Sequence, residues 1–121
     1  MLCEQSATPN TNERRRHKRY RCPLPIEITS PDFRFPVRGE TSDVSLSGCY
    51  INTMMPLPKG VSINVCLSID GTEITTAASV RTSDQAVGNG IEFIDPGEIF
   101  CQVLQAKLEQ IQRLEDESQA S

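Results

Sequence analysis

From Leu24 onward the chain alternates apolar and polar residues in short runs, then changes period near its C-terminus. The stretch "VSINVCLSI" sets Val61, Ile63, Val65, Leu67 and Ile69 on one side and Ser62, Asn64, Cys66 and Ser68 on the other, the period of two of a half-buried strand. It runs into Asp70-Gly71, a pair suited to a type I′ turn because both central residues need positive φ. "TEITTAASV" then returns antiparallel, and a loop near Thr82–Ala86 leads to a last strand in "GIEFI". Upstream, Pro23 and Pro25 punctuate the way into a first strand at about Leu24–Thr29, which begins at an edge because proline cannot donate to a ladder. An extended stretch, "VRGETSDVSLSG", follows Pro36; "CYINTM" alternates again, and "PLPKG" is a loop. Six or so short strands joined by turns predict an antiparallel barrel or sandwich, and closure into a barrel removes exposed edges most simply.

The C-terminal period is helical: Ile99, Phe100, Val103, Leu104, Leu108, Ile111 and Leu114 share one stripe. Asp95 as a cap, Pro96 in the first turn and Glu98 as the partner of a capping box predict a helix over 96–115. Its stripe should lie on the barrel. Residues 116–121 should fray. Residues 1–12 are polar and aperiodic and predict a disordered tail.

At 121 residues, 37 % of them apolar, the chain suits one domain with a modest core, and without Trp that core must rest on Val, Ile and Leu. Charge changes the picture more. Residues 1–21 carry six basic and two acidic side chains, a net +4, whereas residues 22–121 carry six basic and 14 acidic, a net −8. Arg14, Arg15, Arg16, Lys18, Arg19 and Arg21 all fall within eight positions. A broad nucleic-acid face needs basic residues spread over the fold; a compact anion held by one short arm fits this distribution better.

The five cysteines, Cys3, Cys22, Cys49, Cys66 and Cys101, contain no C-x-x-C pair, and the lone His17 has no cysteine beside it, so no zinc site is expected. No signal peptide and no apolar run long enough to span a membrane are seen, and the economical expectation is a reducing cytoplasm with buried, inert thiols.

Enzyme signatures are missing: no G-x-S-x-G, no P-loop, no H-E-x-x-H, no glycine-rich dinucleotide fingerprint. Asp43 and Ser45 are one carboxylate and one hydroxyl without an identifiable base, a weak catalytic set. Two constellations remain. In the basic run, Arg15 and Arg19 lie four apart with Arg14 just before; a guanidinium fork donates two parallel hydrogen bonds to a phosphate or to a guanine O6/N7 edge. By itself the run also reads as a solvated tail or a generic polyanion contact. In "DVSLSG", Asp43 and Ser45 of an extended segment share a face while Val44 points to the core; a carboxylate can accept from guanine N1–H and its exocyclic amine. Gly48 permits a tight turn. By itself this stretch also reads as a serine-stabilised β-turn.

Together, Arg15-x-x-x-Arg19, a first strand, then Asp43-x-Ser45-x-x-Gly48 in the next hairpin resemble the two ligand motifs of the PilZ family, R-x-x-x-R and (D/N)-x-S-x-x-G, in the family's order. "PLPKGVSINVCLSI" and "SVRTSDQAVGNGIEFI" look like its later strands, so the likeness spans about residues 13–105. It implies a six-stranded antiparallel β-barrel with a C-terminal α-helix packed on it, divided into a ligand-binding arm (13–21), barrel (22–95) and helix (96–115). It implies a non-enzymatic receptor for the bacterial second messenger cyclic di-GMP, whose arm changes conformation on binding and which signals through an unidentified protein effector. Arg15 and Arg19 should grip guanine edges and phosphates, Asp43 and Ser45 should recognise a guanine, and Gly48 should shape the adjoining turn. In the family a long basic residue before R-x-x-x-R, here Arg14, accompanies binding of the ligand as an intercalated dimer. No DNA, RNA, metal or membrane insertion is expected. Two other readings stay open: a PilZ-like protein-interaction module independent of the nucleotide, using the helix as its interface, and an RNA- or single-strand-binding barrel, disfavoured by the few aromatics and the acidic body.

Overall fold

The computed structural model describes residues 17–120. Arg14 and Arg15, with the expected tail at 1–12, lie outside the described residues. The elements follow as β1 (Tyr20–Arg21), β2 (Pro25–Thr29), β3 (Val37–Val44), β4 (Gly48–Asn52), β5 (Ser62–Ile69), β6 (Thr72–Asp84), β7 (Gly88–Ile94) and α1 (Glu98–Ala120). Strands β3-β2-β5-β6-β7-β4 hydrogen-bond in that order, every pair antiparallel, and β4 pairs back onto β3, so six strands close a barrel.

The alternation read from the sequence becomes the inside and outside of this barrel. Ile63, Val65, Leu67 and Ile69 of β5 are buried against Ile74, Ala78 and Val80 of β6 and Ile91 and Phe93 of β7. Asp70 and Gly71 turn the β5–β6 hairpin with φ of 50° and 89°, both left-handed as a type I′ turn requires. The stripe of α1 puts Phe100, Leu104 and Leu108 into the same core, with Phe100 edge-on to Phe93 at 5.0 Å between ring centroids. Lys107 reaches Asp70 at 3.3 Å and ties the helix to the hairpin tip.

The extra strand β1 lies along β3 in line with β2: Arg21 pairs with Asp43, and Pro25 pairs with Glu40. Between these pairings the register slips by one residue, at Pro23, which has no N–H to give. Thr41 of β3, 2 % exposed, closes the break. Its Oγ1 accepts the Leu24 N–H at 2.9 Å and donates to the Cys22 carbonyl at 2.7 Å. Two backbone groups displaced from the ladder are thereby satisfied in a place water does not reach. This repair docks β1 onto the barrel.

Three expectations need correction. The helix starts at Glu98, not Pro96: the Gly97 carbonyl accepts the first helical bond from Cys101 N–H, and Asp95 takes φ of 45° in the turn out of β7 rather than the extended backbone of a cap. The helix also continues past residue 115 to Ala120. Finally, β6 runs through Thr82 to Asp84, where a loop was expected. A bulge between Val80 and Thr82 absorbs the change of pattern, and pairing resumes with Gly88–Gly90.

Candidate functional site

The sequence-predicted site residues in the described region gather where β1, the end of β3 and the β3–β4 turn meet. Arg19 precedes β1. Its guanidinium meets the Asp43 carboxylate with Nη1–Oδ1 of 2.5 Å, and both side chains stay partly open to solvent, 52 % and 34 % exposed. The pairing follows from register: Arg21 stands opposite Asp43, so Arg19, two residues earlier, emerges on the same face and reaches back along the strand. The neighbours of Asp43 on the other face, Val44 and Cys49, are buried in the core. Burial is the main cause that pushes the Cys49 thiol up to about 12; the nearby Asp43 carboxylate adds to it and Arg19 opposes it. Cys49 is a packing residue under the site.

Ser45 is placed differently from Asp43. The strand ends at Val44, the turn begins, and Ser45 is 2 % exposed. Its hydroxyl accepts the Ser47 N–H at 3.1 Å and donates to the Gly48 carbonyl at 3.4 Å, which also accepts the Ser45 N–H at 2.8 Å. The hydroxyl thus knots the turn instead of sharing the open face of Asp43. The turn is fixed to β7 as well, because the Ser47 carbonyl accepts the Phe93 N–H at 2.9 Å. Gly48 serves that approach: a Cβ there would overlap the Ile91 carbonyl of β7. Its role is space for two backbones, where the sequence had suggested turn conformation alone.

The opposite face of the arm grips α1. Lys18 Nζ donates to Gln112 Oε1 at 3.0 Å and approaches Glu115 at 3.5 Å, while the Tyr20 hydroxyl donates to the same Gln112 oxygen at 3.0 Å. Between arm, turn and helix lies a cavity of about 250 Å³, lined among others by His17, Tyr20, Leu46, Leu108 and Gln112. The arm therefore contacts the helix with Lys18 and Tyr20 and the barrel face with Arg19. The sequence carried a signal for this split, the alternation within "HKRYR", but nothing in it named Gln112 as the anchor.

On the barrel surface beyond Asp43, Tyr50 of β4 stands directly opposite it. The Tyr50 hydroxyl donates to Asp84 at 2.7 Å. That hydrogen bond, then slight burial and the charges of Asp84 and Asp43, push its ionisation up to about 12. Tyr50 was missed in the sequence because an outward strand position in "CYINTM" carries no motif of its own. Among the described residues no group of three or more His, Cys, Asp or Glu is placed to hold a metal. No described helix is long and apolar enough to cross a membrane.

Residues 13–110 match the PilZ domain family. The chain belongs to that family. A search of curated proteins gives no match. Solved PilZ structures share the fold. The PilZ domain of CeSA from a cellulose-synthesizing bacterium is 21 % identical with a TM-score of 0.61, over 78 % of this chain and 98 % of that one. The PilZ domain of YcgR from Escherichia coli, solved with c-di-GMP, is 15 % identical with a TM-score of 0.69, over 89 % and 98 %. MotI, an inhibitor of motility from Bacillus subtilis, is 16 % identical with a TM-score of 0.70; the match takes in 88 % of this chain and only 57 % of MotI. Within this PilZ domain, Arg19 belongs to the R-x-x-x-R motif and Asp43, Ser45 and Gly48 to D-x-S-x-x-G.

Proposed function

We propose that this PilZ domain is a cyclic di-GMP receptor without catalytic activity, working in the cytoplasm through a protein effector. The observation that carries the reading is the meeting of Arg19 and Asp43. A forked donor and an acceptor sit side by side on an open face, a set complementary to guanine and phosphate together. Arg19 donates to a phosphate or to guanine O6/N7, and Asp43 accepts from guanine N1–H and its exocyclic amine. The YcgR domain solved with c-di-GMP gives this assignment a precedent of the same fold.

In this reading Arg15 adds a second guanidinium from the arm, and Arg14 holds a second nucleotide, so the ligand is taken as an intercalated dimer. Ser45 and Gly48 act by fixing the turn that carries Asp43. Ligand binding breaks the present Arg19–Asp43 contact or shares it, and redraws the arm. Because Lys18 and Tyr20 rest on Gln112 of α1, the movement changes the surface that arm and helix offer to an effector. Amide hydrogen exchange on the full chain with and without cyclic di-GMP tests it. Protection rises over residues 12–21 if the reading holds; unchanged exchange there at saturating ligand removes the arm from the mechanism.

A further inference from the structure

We propose that Tyr50 is the platform on which a guanine of the ligand stacks, an inference that rests on the cyclic di-GMP reading above. The register lines up one row across the outside of the barrel: Arg21 of β1 opposite Asp43 of β3, Asp43 opposite Tyr50 of β4, Tyr50 opposite Gly90 of β7, and Gly90 opposite Thr82 of β6. Directly opposed residues point to the same side of a sheet, with Cβ atoms about 4.5–5.5 Å apart. Val44 and Cys49, next along the chain from Asp43 and Tyr50, are fully buried, so the row faces out. A base whose edge is held by Asp43 extends its plane over a neighbouring strand. Toward β1 it meets the charge of Arg21; toward β4 it meets the ring of Tyr50.

The ring is set for that use. Its hydroxyl is held by Asp84 at 2.7 Å. Beneath it lies Gly88, where a Cβ would press against ring atom Cε1. The ring thus packs against glycine backbone, and Tyr50 as a whole is half-buried, with part of its surface open. The next position in the row, Gly90, has no side chain of its own; the small Thr82 side chain covers it, its Oγ1 accepting the Gly90 N–H at 2.9 Å where a Gly90 Cβ would otherwise stand. The other described tyrosine, Tyr20, is turned toward α1, and Phe93 and Phe100 are in the core. Purines stack on such a ring without regard to their edge, which Asp43 then reads.

NMR of the full chain titrated with cyclic di-GMP tests the assignment. The Tyr50 ring protons should move upfield under the ring current of a stacked purine. Tyr50→Phe should bind within about twofold of the parent, and Tyr50→Leu should bind roughly 5- to 100-fold more weakly. Ring protons that stay in place while Arg19 and Asp43 signals shift overturn the stacking role and leave the binding site standing, as does Tyr50→Leu binding like the parent. Should Tyr50→Leu fail to fold, the ring shift in the parent decides. A parent chain that shows no shifts at all with cyclic di-GMP removes the receptor reading and the platform with it.

Discussion

Arg19 and Asp43 lie 24 residues apart in the chain and meet with a nitrogen–oxygen distance of 2.5 Å on the open face of the barrel. What brings them together is the short pairing of Tyr20 and Arg21 with Val44 and Asp43. An ion pair this open to solvent contributes little to folding, about 1 kcal/mol at most. Its residues are therefore free to be replaced without loss of the fold, which separates binding from stability.

Arg19→Ala and Asp43→Ala should each weaken cyclic di-GMP binding roughly 10- to 100-fold, the effect of losing a charge-assisted hydrogen-bond set worth about 1.5–3 kcal/mol. Thermal midpoints should stay within about 8 °C of the parent. Calorimetry on the two variants checks this, and binding changed less than about twofold in both counts against the assignment.

Thr41→Val should cost about 2–4 kcal/mol in urea unfolding, because it strands the Leu24 N–H and the Cys22 carbonyl in the core. Thr41→Ser keeps the oxygen and should recover most of the loss. Hydrogen exchange at Tyr20–Cys22 should quicken in Thr41→Val, since the side chain holds β1 against the barrel. Ligand affinity should fall with it, although Thr41 lies inside the barrel wall.

Asn89 is fully buried. Its Oδ1 accepts the Leu57 N–H at 2.8 Å, and its Nδ2 donates to the carbonyls of Leu57 at 2.9 Å and Thr82 at 3.1 Å. It fastens the loop between β4 and β5 to the β6–β7 hairpin. Asn89→Ala should destabilise by about 2–4 kcal/mol in the same urea experiment, and Asn89→Asp by more, because it loses the donors and buries a charge.

Tyr50 gives a pH dependence whose sign follows from its raised ionisation. The folded state holds the proton to about 12, whereas an unfolded tyrosine releases it near 10. The stabilisation from the Tyr50–Asp84 hydrogen bond is therefore complete below about pH 10 and is lost as pH rises toward 12. The stability difference between the parent and Tyr50→Phe, followed by urea unfolding, should be constant to about pH 10 and shrink above it. A difference that instead changes between pH 5 and 8 contradicts the assignment.

The barrel was largely legible because its signals are local. Alternation in 61–69 and the Asp70-Gly71 pair each specify their own geometry, and the apolar stripe from Phe100 to Ile111 announces which side of the helix faces the core, although Ile99 and Leu114, expected in the same stripe, are exposed. Arg19 and Asp43 could be placed in one site only through resemblance to a family, since nothing in either segment says which strand lies beside it. The same limit hid Thr41, Asn89 and Gln112. Each looks like an ordinary polar residue until strand pairing puts it beside backbone groups or side chains far away in sequence. Gly48 was recognised but for a different reason, because its importance lies in the approach of β7. Ser45 was expected on the face of Asp43 by simple alternation, which the strand abandons one residue earlier.

The measurement that bears most directly on the central claim is isothermal titration of the full chain with cyclic di-GMP. Saturable binding with two nucleotides per protein is predicted, reduced about 10-fold or more by Arg19→Ala, with GTP and a single-stranded oligonucleotide failing to compete. Absence of saturable binding, or binding indifferent to both Arg19→Ala and Asp43→Ala, would contradict the account.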